Sequence, residues 1–266
     1  MQSSRRAFLL GRRPERAPWE AFCEGLRAVI VGELRQRRLI LGHPQDVWRA
    51  RELAAHYGIV LGLWGLAGPP EGLWLDPCAL RAWREEDGAL VAAPGCPVGE
   101  LARAGLPQFR QADPQQSVAV WLASATDYAR PADSGLNAVT VMFADGVVES
   151  LGPFGLAGSQ PLRSGTTQRL VPALFRLAAG TDAAGQRWPA RFRLDALRQP
   201  ANLAQVLLGH GGALAWVQES RWRPGLPADS PLSLSVEGER VDQQVKALFD
   251  AQGRFICAQG RPKHPS

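Results

Sequence analysis

The stretch HPQDVWRARELAAHYGIVLGLWG, residues 43–65, carries a helix signal, a strand signal and a glycine-rich turn in one continuous run. In its first part, apolar side chains recur at helical spacing, at Val47, Ala50, Leu53, Ala54 and Tyr57. Pro44 suits a first helical turn, and Gly58 suits the left-handed position at which a helix ends. Residues 59–61 then predict a buried strand, and residues 62–72, rich in Gly and Pro, predict a loop.

Further along the chain, the same patterns predict short strands and helices in mixed order. Strands are predicted at residues 73–75, 89–92, 138–143, 147–149 and 213–217, and helices at residues 97–104, 167–179, 203–208 and 241–249. The pair Asp145-Gly146 lies between two of these strands and is typical of a hairpin turn. Helices and strands that alternate early, followed by a hairpin and then by further helices, predict an α+β chain with mixed sheets.

The composition is that of a globular chain with a real core. Of its 266 residues, 45% are hydrophobic and 21% are charged. A chain of this length buries roughly 70–75% of the surface that its unfolded form exposes, and it forms one large domain or two small ones. No window holds the roughly 18 uninterrupted apolar residues of a membrane span, so no such span is predicted.

The net charge of +5 is concentrated at the N-terminus, in Arg5, Arg6, Arg12, Arg13 and Arg16. Ser4 to Leu9 resembles the twin-arginine export motif, but charged residues follow where an apolar region would be required. A retained basic arm is therefore predicted, within a segment 1–42 that also holds a helix, and the expected location is cytoplasmic. The arm could also be a docking peptide for a partner. The arm could also bind a nucleic acid or a membrane surface. The near-neutral remainder of the chain, however, does not favour nucleic acid.

Signals for most kinds of catalytic or metal site are absent from the sequence. The four cysteines are scattered without a C-x-x-C pair, so free thiols are predicted rather than a metal site or a disulfide framework. There is no phosphate-binding P-loop, no G-x-G-x-x-G after the first strand and no G-x-S-x-G. His56 and His210 have no evident partner and are predicted to be surface or packing residues. No residue is nominated as a catalytic acid, base or nucleophile.

Six segments follow one another in a recognisable order. They are residues 43–65, LWLDPCALRAW (73–83), ALVAAPGCPVGELARAGL (89–106), AVTVMFADGVVESLG (138–152), NLAQVLLGHGGALAWVQESRWRP (202–224) and VDQQVKALFDAQGRFICAQGRP (241–262). In this order they resemble the PCMH-type FAD-binding domain of the vanillyl-alcohol-oxidase-like FAD-linked oxidases. Among these, the small FAD-binding subunit of glycolate oxidase is the nearest.

The resemblance implies an α+β, PCMH-type FAD-binding fold of two α/β subdomains. The FAD-binding domain would span residues 43–223, with subdomains at about 43–93 and 94–223 and an extra segment at 161–200. Residues 224–266 would then hold a short connector (224–239) in place of the substrate cap, followed by a C-terminal helix and a tail.

The resemblance also implies which residues meet the cofactor. A pyrophosphate is met by backbone amides, and glycine allows the backbone to approach closely. Three loops match the family's cofactor contacts, and their residues are Gly62, Leu63, Trp64, Gly65, Leu66, Ala67, Asp113, Ser117, Val118, Ala119, Gly209, Gly212, Leu214 and Val217. The first loop holds no His or Cys, so the FAD is expected to bind non-covalently.

The function implied is that of an FAD-binding oxidoreductase subunit, acting with partner subunits. It would oxidise a small 2-hydroxy acid, such as glycolate or lactate, by hydride transfer to the flavin. Arg221, Arg223 or a residue of a partner would hold the substrate carboxylate. The alternative is a flavin-free structural or accessory subunit that keeps the scaffold.

Overall fold

The computed structural model describes residues 17–125, 128–155, 162–180, 188, 190–198, 200–227 and 236–257. Within these residues nine strands form two sheets, accompanied by six α-helices, so the predicted α+β class is confirmed. The basic arm lies outside the described residues, as do parts of the predicted extra segment and of the connector.

The first sheet has four strands in the order β1-β2-β4-β3. The strands are β1 (Glu33–Arg35), β2 (Arg38–Ile40), β3 (Leu61–Leu63) and β4 (Leu73–Asp76). β4 is parallel to both β2 and β3, whereas β1 is antiparallel to β2. Helices α1 (Pro18–Arg27) and α2 (Gln45–Tyr57) pack against each other beside it. The sheet thus includes residues 33–40, which precede the predicted domain boundary at residue 43.

The second sheet has five strands in the order β5-β6-β9-β7-β8, and all neighbouring pairs are antiparallel. The strands are β5 (Trp83–Glu86), β6 (Ala89–Ala92), β7 (Leu136–Met142), β8 (Val148–Leu151) and β9 (Trp216–Trp222). The helices of this part are α3 (Val98–Arg103), α4 (Val118–Ser124), α5 (Gly165–Gly180) and α6 (Val236–Phe249).

The start of α2 is fixed by the carboxylate of Asp46, which is fully buried. Its two oxygens accept hydrogen bonds from the backbone amides of Val31, Gly32, Gly42 and His43 at 2.8–3.0 Å. A buried carboxylate that accepts four amides stabilises the loops that supply them. Asp46 therefore joins the first turn of α2 to the chain on both sides of the β1–β2 hairpin.

The hydrophobic core of the first sheet continues into the second part of the molecule. Leu61 and Leu63 of β3 belong to the same buried cluster as Ala119 of α4, Met142 of β7 and Trp216 of β9. Buried apolar side chains of both sheets thus pack together in this cluster, while a second cluster fills the rest of the second part of the molecule. We call this boundary between the two sheets, beside β3, the seam. The candidate site lies along it.

Several predicted elements are confirmed with shifted bounds. The strand predicted at 59–61 begins at Leu61, because the amide of Ile59 still donates to the Ala54 carbonyl at the end of α2. The strand predicted at 213–217 begins at Trp216, because Ala213 closes a turn onto His210.

Other predictions need correction. The segment predicted as a helix at 203–208 is a 3-10 segment, Leu203–Leu207, capped by the Asn202 side chain. Glu85 and Glu86, for which the sequence predicts no strand, lie in the exposed edge strand β5. The loop that ends at Ala119 runs into helix α4, whose first turn is capped by Ser117.

Two kinds of structure are absent from the part of the chain that the structure describes. None of its helices is both long enough and apolar enough to cross a membrane. Within the same residues, no three His, Cys, Asp or Glu side chains come together as a metal site.

Candidate functional site

The three loops that the sequence predicts to hold a cofactor meet along the seam beside β3. They are residues 62–68, 113–119 and 209–217. The point at which Gly212 would carry a Cβ lies 3.5 Å from Leu63 Cβ and 3.4 Å from Leu66 Cδ1. The corresponding point of Gly65 lies 3.0 Å from Val120 Cγ2, in the first turn of α4. The structure therefore brings together loops that lie up to 155 positions apart in sequence, from residue 62 to residue 217.

The seam contains two spaces of very different size. The larger, the cleft, has a volume of about 560 Å³ and is lined by the predicted residues Trp64, Gly65, Asp113 and Ser117. The smaller, the slot, has a volume of about 10 Å³ and is lined by the predicted residues Gly62, Leu63, Ala119, Gly212 and Val217. A volume of 560 Å³ is typical of small-molecule sites, whereas 10 Å³ holds about one water molecule.

The other five predicted residues line neither space. Val118 and Leu214 are buried in the core of the second sheet, and Ala67 is half-buried. Leu66 contacts the slot residue Gly212 from outside. Both backbone groups of Gly209 have hydrogen-bond partners, since its amide donates to the Leu122 carbonyl and its carbonyl accepts from Arg191.

One wall of the cleft combines a cation with an aromatic face. The guanidinium carbon of Arg38, on β2, lies 4.4 Å from the centre of the Trp64 ring. Arg38 also pairs with Asp76, at 2.7 Å from its Nε. Burial and the neighbouring Asp76 carboxylate raise the pKa of the Cys78 thiol in this wall, so it is protonated near neutral pH. The sequence did not single out Arg38, because only the pairing of β2 with β4 carries it to this position.

The backbone of the first loop keeps some amides available. The amide of Trp64 donates to Leu75 at 2.8 Å, and that of Leu66 donates to Leu63 at 3.2 Å. The amide of Gly65 donates no hydrogen bond within the described residues. Gly65 also has a φ of 97°, a conformation that side-chain-bearing residues rarely adopt. It is the position of the first loop whose backbone lines the cleft and is free to meet a phosphate.

The amides at the start of α4 are, by contrast, already engaged. Val118 donates to Cys96 at 2.8 Å and Ala119 donates to Pro94 at 3.1 Å. Val120 donates to the capping hydroxyl of Ser117 at 3.3 Å. Amides of a first helical turn bind anions only when they have no protein partner. The second predicted loop therefore offers side chains to the cleft rather than these amides.

Two glycines of the first loop make room for side chains of this chain itself. A Cβ on Gly62 would lie 2.7 Å from the Trp74 ring and 3.2 Å from Ile256. A Cβ on Gly68 would lie 2.6 Å from Trp74 and 2.9 Å from Ile256. The resemblance implies that Gly62 contacts the cofactor. In this structure, the space that a side chain at Gly62 would take is filled by Trp74 and Ile256.

The slot contains one buried polar side chain without a partner. His210 is fully buried, and its Nδ1 has no hydrogen-bond partner within the described residues. Burial, with smaller contributions from the charges of Arg191 and Lys246, lowers its pKa to about 3, so the ring is neutral. An unpaired buried nitrogen costs about 1–3 kcal/mol. His210 is thus a packing residue, as one interpretation of the sequence held, and it adds a polar group to the wall of the slot.

The two arginines expected to hold a substrate carboxylate lie elsewhere. Arg221 donates to Glu86 at 2.8 Å and to Asp87 at 3.1 Å on the second sheet. Arg223 is exposed, and neither arginine lines the cleft or the slot. Neither arginine is therefore placed to hold a substrate carboxylate at the seam. The arginines that line the cleft are Arg38 and Arg81.

No protein-family model and no curated protein matches this chain. Solved structures do resemble it. The glucooligosaccharide oxidase from Acremonium strictum, with its 6-S-cysteinyl, 8α-N1-histidyl FAD, is 13% identical at a TM-score of 0.48, over 77% of this chain and 42% of that chain. A chitooligosaccharide oxidase is 14% identical at a TM-score of 0.47, over 76% of this chain and 43% of that chain.

A third similar structure is the 6-hydroxy-D-nicotine oxidase from Arthrobacter nicotinovorans, which is 17% identical at a TM-score of 0.41. The match covers 79% of this chain and 40% of that chain. This chain therefore spans about two fifths of the length of the solved structures it resembles. A likeness of this degree does not by itself carry a cofactor or a reaction over to this chain.

Proposed function

We propose that this chain is an FAD-binding subunit of an oxidoreductase, with the nucleotide part of FAD in the cleft. The observation that carries the proposal is the cleft of about 560 Å³ at the meeting point of the first two predicted loops. The resemblance of the six sequence segments to FAD-linked oxidases points to the same loops.

The walls of the cleft suit a nucleotide. Trp64 is 38% exposed and offers a ring face on which an adenine can stack. Arg38 and the amide of Gly65 offer donors to phosphate oxygens. Gln115, Gln116 and Ser117 add side chains that both donate and accept hydrogen bonds. The residues of the cleft therefore fit the adenosine diphosphate portion of the cofactor.

The flavin ring would belong on the slot side of the seam, against residues 212–217. The flavin, when bound, accepts a hydride from the substrate. His210 would present its unpaired Nδ1 to the ring or to a water beside it, and the apolar side chains of Leu63, Ala119 and Val217 would exclude solvent. With a volume of about 10 Å³, the slot must widen before a ring enters.

The direct test is the absorption spectrum of the purified protein, with and without added FAD. Flavin bands that co-purify, or a melting temperature that rises with FAD, support the proposal. A colourless protein whose melting temperature does not respond to FAD contradicts it. Covalent attachment is tested by acid precipitation, after which a non-covalent flavin stays in the supernatant.

The substrate class is a separate proposal, tested only on flavin-loaded protein. Glycolate and lactate follow from the resemblance to the glycolate oxidase subunit, and we propose a 2-hydroxy acid of this kind. Gluco- and chito-oligosaccharides and 6-hydroxy-D-nicotine are the comparison compounds, because the names of the similar structures refer to them. Bleaching of the flavin by lactate or glycolate, and not by these compounds, supports the 2-hydroxy acid.

A second candidate is a flavin-free accessory subunit built on the same scaffold. The narrow slot and the engaged amides of α4 favour it. In that case the protein would act through a partner subunit, and purification from its native source would yield a complex in which a different chain carries the flavin. The two candidates differ in one result, because only the first binds FAD as an isolated chain.

A further inference from the structure

The chain after α6 returns to the first sheet. Residues 254–256, which we term the C-terminal strap, pair in parallel with the edge of β3 at Leu61. The amide of Leu61 donates to the Arg254 carbonyl at 2.8 Å, and the amide of Ile256 donates to the Leu61 carbonyl at 2.7 Å. Two backbone hydrogen bonds thus attach the strap to β3.

The side chains of the strap close one side of the seam. Phe255 is 5% exposed and lines the slot. Ile256 is 7% exposed and occupies the groove left by the missing side chains of Gly62, Gly68 and Gly72. The glycine-rich loop therefore receives a side chain from the far end of the chain.

The Lys246 side chain connects the strap to the third predicted loop. The ammonium of Lys246 donates to the Ala213 carbonyl at 2.6 Å and to the Phe255 carbonyl at 2.9 Å. It also pairs with Asp250, whose carboxylate accepts from the amides of Arg254 and Phe255, both at 2.8 Å. Lys246 thus touches both the strap and residues 209–217.

We infer that the C-terminal strap is a gate over the slot and that Lys246 holds it shut. The other slot walls belong to β3, β4, α4, β9 and the turn before β9, and Phe255 of the strap packs in the same core as Leu61, Leu63 and Leu75. Although Phe255 and Ile256 are buried, the strap pairs with β3 through a single isolated bridge at the edge of the sheet, and such a segment opens at a lower free energy than a strand within a sheet. Release of the strap removes Phe255 from the slot and Ile256 from the glycine groove, and this widens the slot.

The inference rests on the proposed function for the identity of the ligand, which is the flavin ring. The existence of the gate rests on the contacts alone. Movement of the strap provides the widening of the slot that a flavin ring requires, while the two sheets stay packed against each other.

The gate is tested by thiol labelling at the slot wall. Ala215, 2% exposed, lines the slot, and the variant Ala215→Cys is made in a background of Cys78→Ser and Cys257→Ser, which removes both exposed thiols. Cys96 is fully buried and does not line the slot, so it serves as the internal reporter of global unfolding. Labelling of each thiol is followed over time by mass spectrometry.

Adding Lys246→Met to this background is expected to speed labelling at position 215 at least tenfold and to change labelling of Cys96 less than twofold. Equal acceleration at both thiols means global destabilisation and overturns the gate, as does no acceleration at position 215. Ile256→Ala, which weakens the strap without touching the ion pair, is expected to act in the same direction. It serves as the test variant if Lys246→Met does not fold.

The ligand is tested on the same variants by stopped-flow mixing with FAD, followed by flavin fluorescence. Faster FAD association in Lys246→Met than in the parent supports the strap as the flavin gate. Unchanged association despite faster labelling overturns that role. If no variant binds FAD but position 215 is labelled faster, the proposed function fails and the gate stands.

Discussion

The guanidinium of Arg38 lies 4.4 Å from the centre of the Trp64 ring, and this pair forms one wall of the cleft. Arg38 comes from β2, in a hairpin that precedes the glycine-rich loop by more than twenty residues, and Trp64 directly follows β3. The pair exists because β2 and β3 both lie alongside β4 in parallel. A ligand that binds in the cleft would therefore contact two segments whose relative position the first sheet determines.

Trp64→Ala is expected to weaken FAD binding about tenfold, the order of a lost stacking contact between a base and an aromatic ring. Trp83→Ala is the matched control, because Trp83 is similarly exposed, at 41%, and does not line the cleft. Titration of flavin fluorescence gives both affinities. Equal affinities for the two variants would show that Trp64 is no part of the nucleotide site.

Gly65→Ala is expected to destabilise the fold and to weaken FAD binding. The φ of 97° alone costs an alanine about 1–3 kcal/mol, and the new Cβ would lie 3.0 Å from Val120. Gly105→Ala is the control for backbone strain, because Gly105 has a φ of 104° and open space around it. Urea unfolding is expected to show the larger loss for Gly65→Ala. A loss no larger than that of Gly105→Ala would mean that α4 moves aside freely.

The pH dependence of stability is expected to contain a contribution from His210. Its pKa is about 3 in the folded protein against 6.5 as the ordinary value, so the unfolded chain binds the proton more readily. The contribution is fully present above pH 6.5 and is lost as the pH falls from there towards 3. By linkage, the free energy of unfolding at pH 5 is lower by about 2 kcal/mol than at pH 8 from this group.

The variant His210→Gln removes that contribution, so its unfolding free energy is expected to fall less steeply between pH 8 and pH 5. Urea titrations at each pH measure the slope, with His56→Gln as the matched loss of an exposed histidine. A slope equal to that of the parent protein would show that His210 takes up its proton in the folded state.

Asp46→Asn is expected to lower the free energy of unfolding by about 3 kcal/mol, because an amide cannot accept from all four backbone donors. Asp145→Asn is the control, since Asp145 is exposed and accepts from a single backbone amide, that of Val147. Chemical denaturation of both variants measures the difference. Similar losses would mean that the loops around Asp46 rearrange at little cost.

The sequence was a good guide to local structure where one short stretch contains the whole signal. The helix that ends at Gly58 and the hairpin around Asp145-Gly146 both follow from neighbouring residues. It was a poorer guide to edge strand β5, because an exposed strand rich in charge lacks an alternating apolar pattern. The bounds of β3 and β9 shifted because backbone hydrogen bonds at their ends are made to other elements or turns.

For the candidate site, the sequence by itself indicated three loops, and those three loops do meet. It also determined where the glycines of the first loop stand in the chain. The role of each glycine, however, depends on which side chains come close to it in space. Trp74 and Ile256 pack beside Gly62 and Gly68, whereas Gly65 faces Val120 and the cleft. Only the tertiary structure decided that the cleft is open and the slot narrow, because both volumes are set by side chains from distant parts of the chain that pack across the seam.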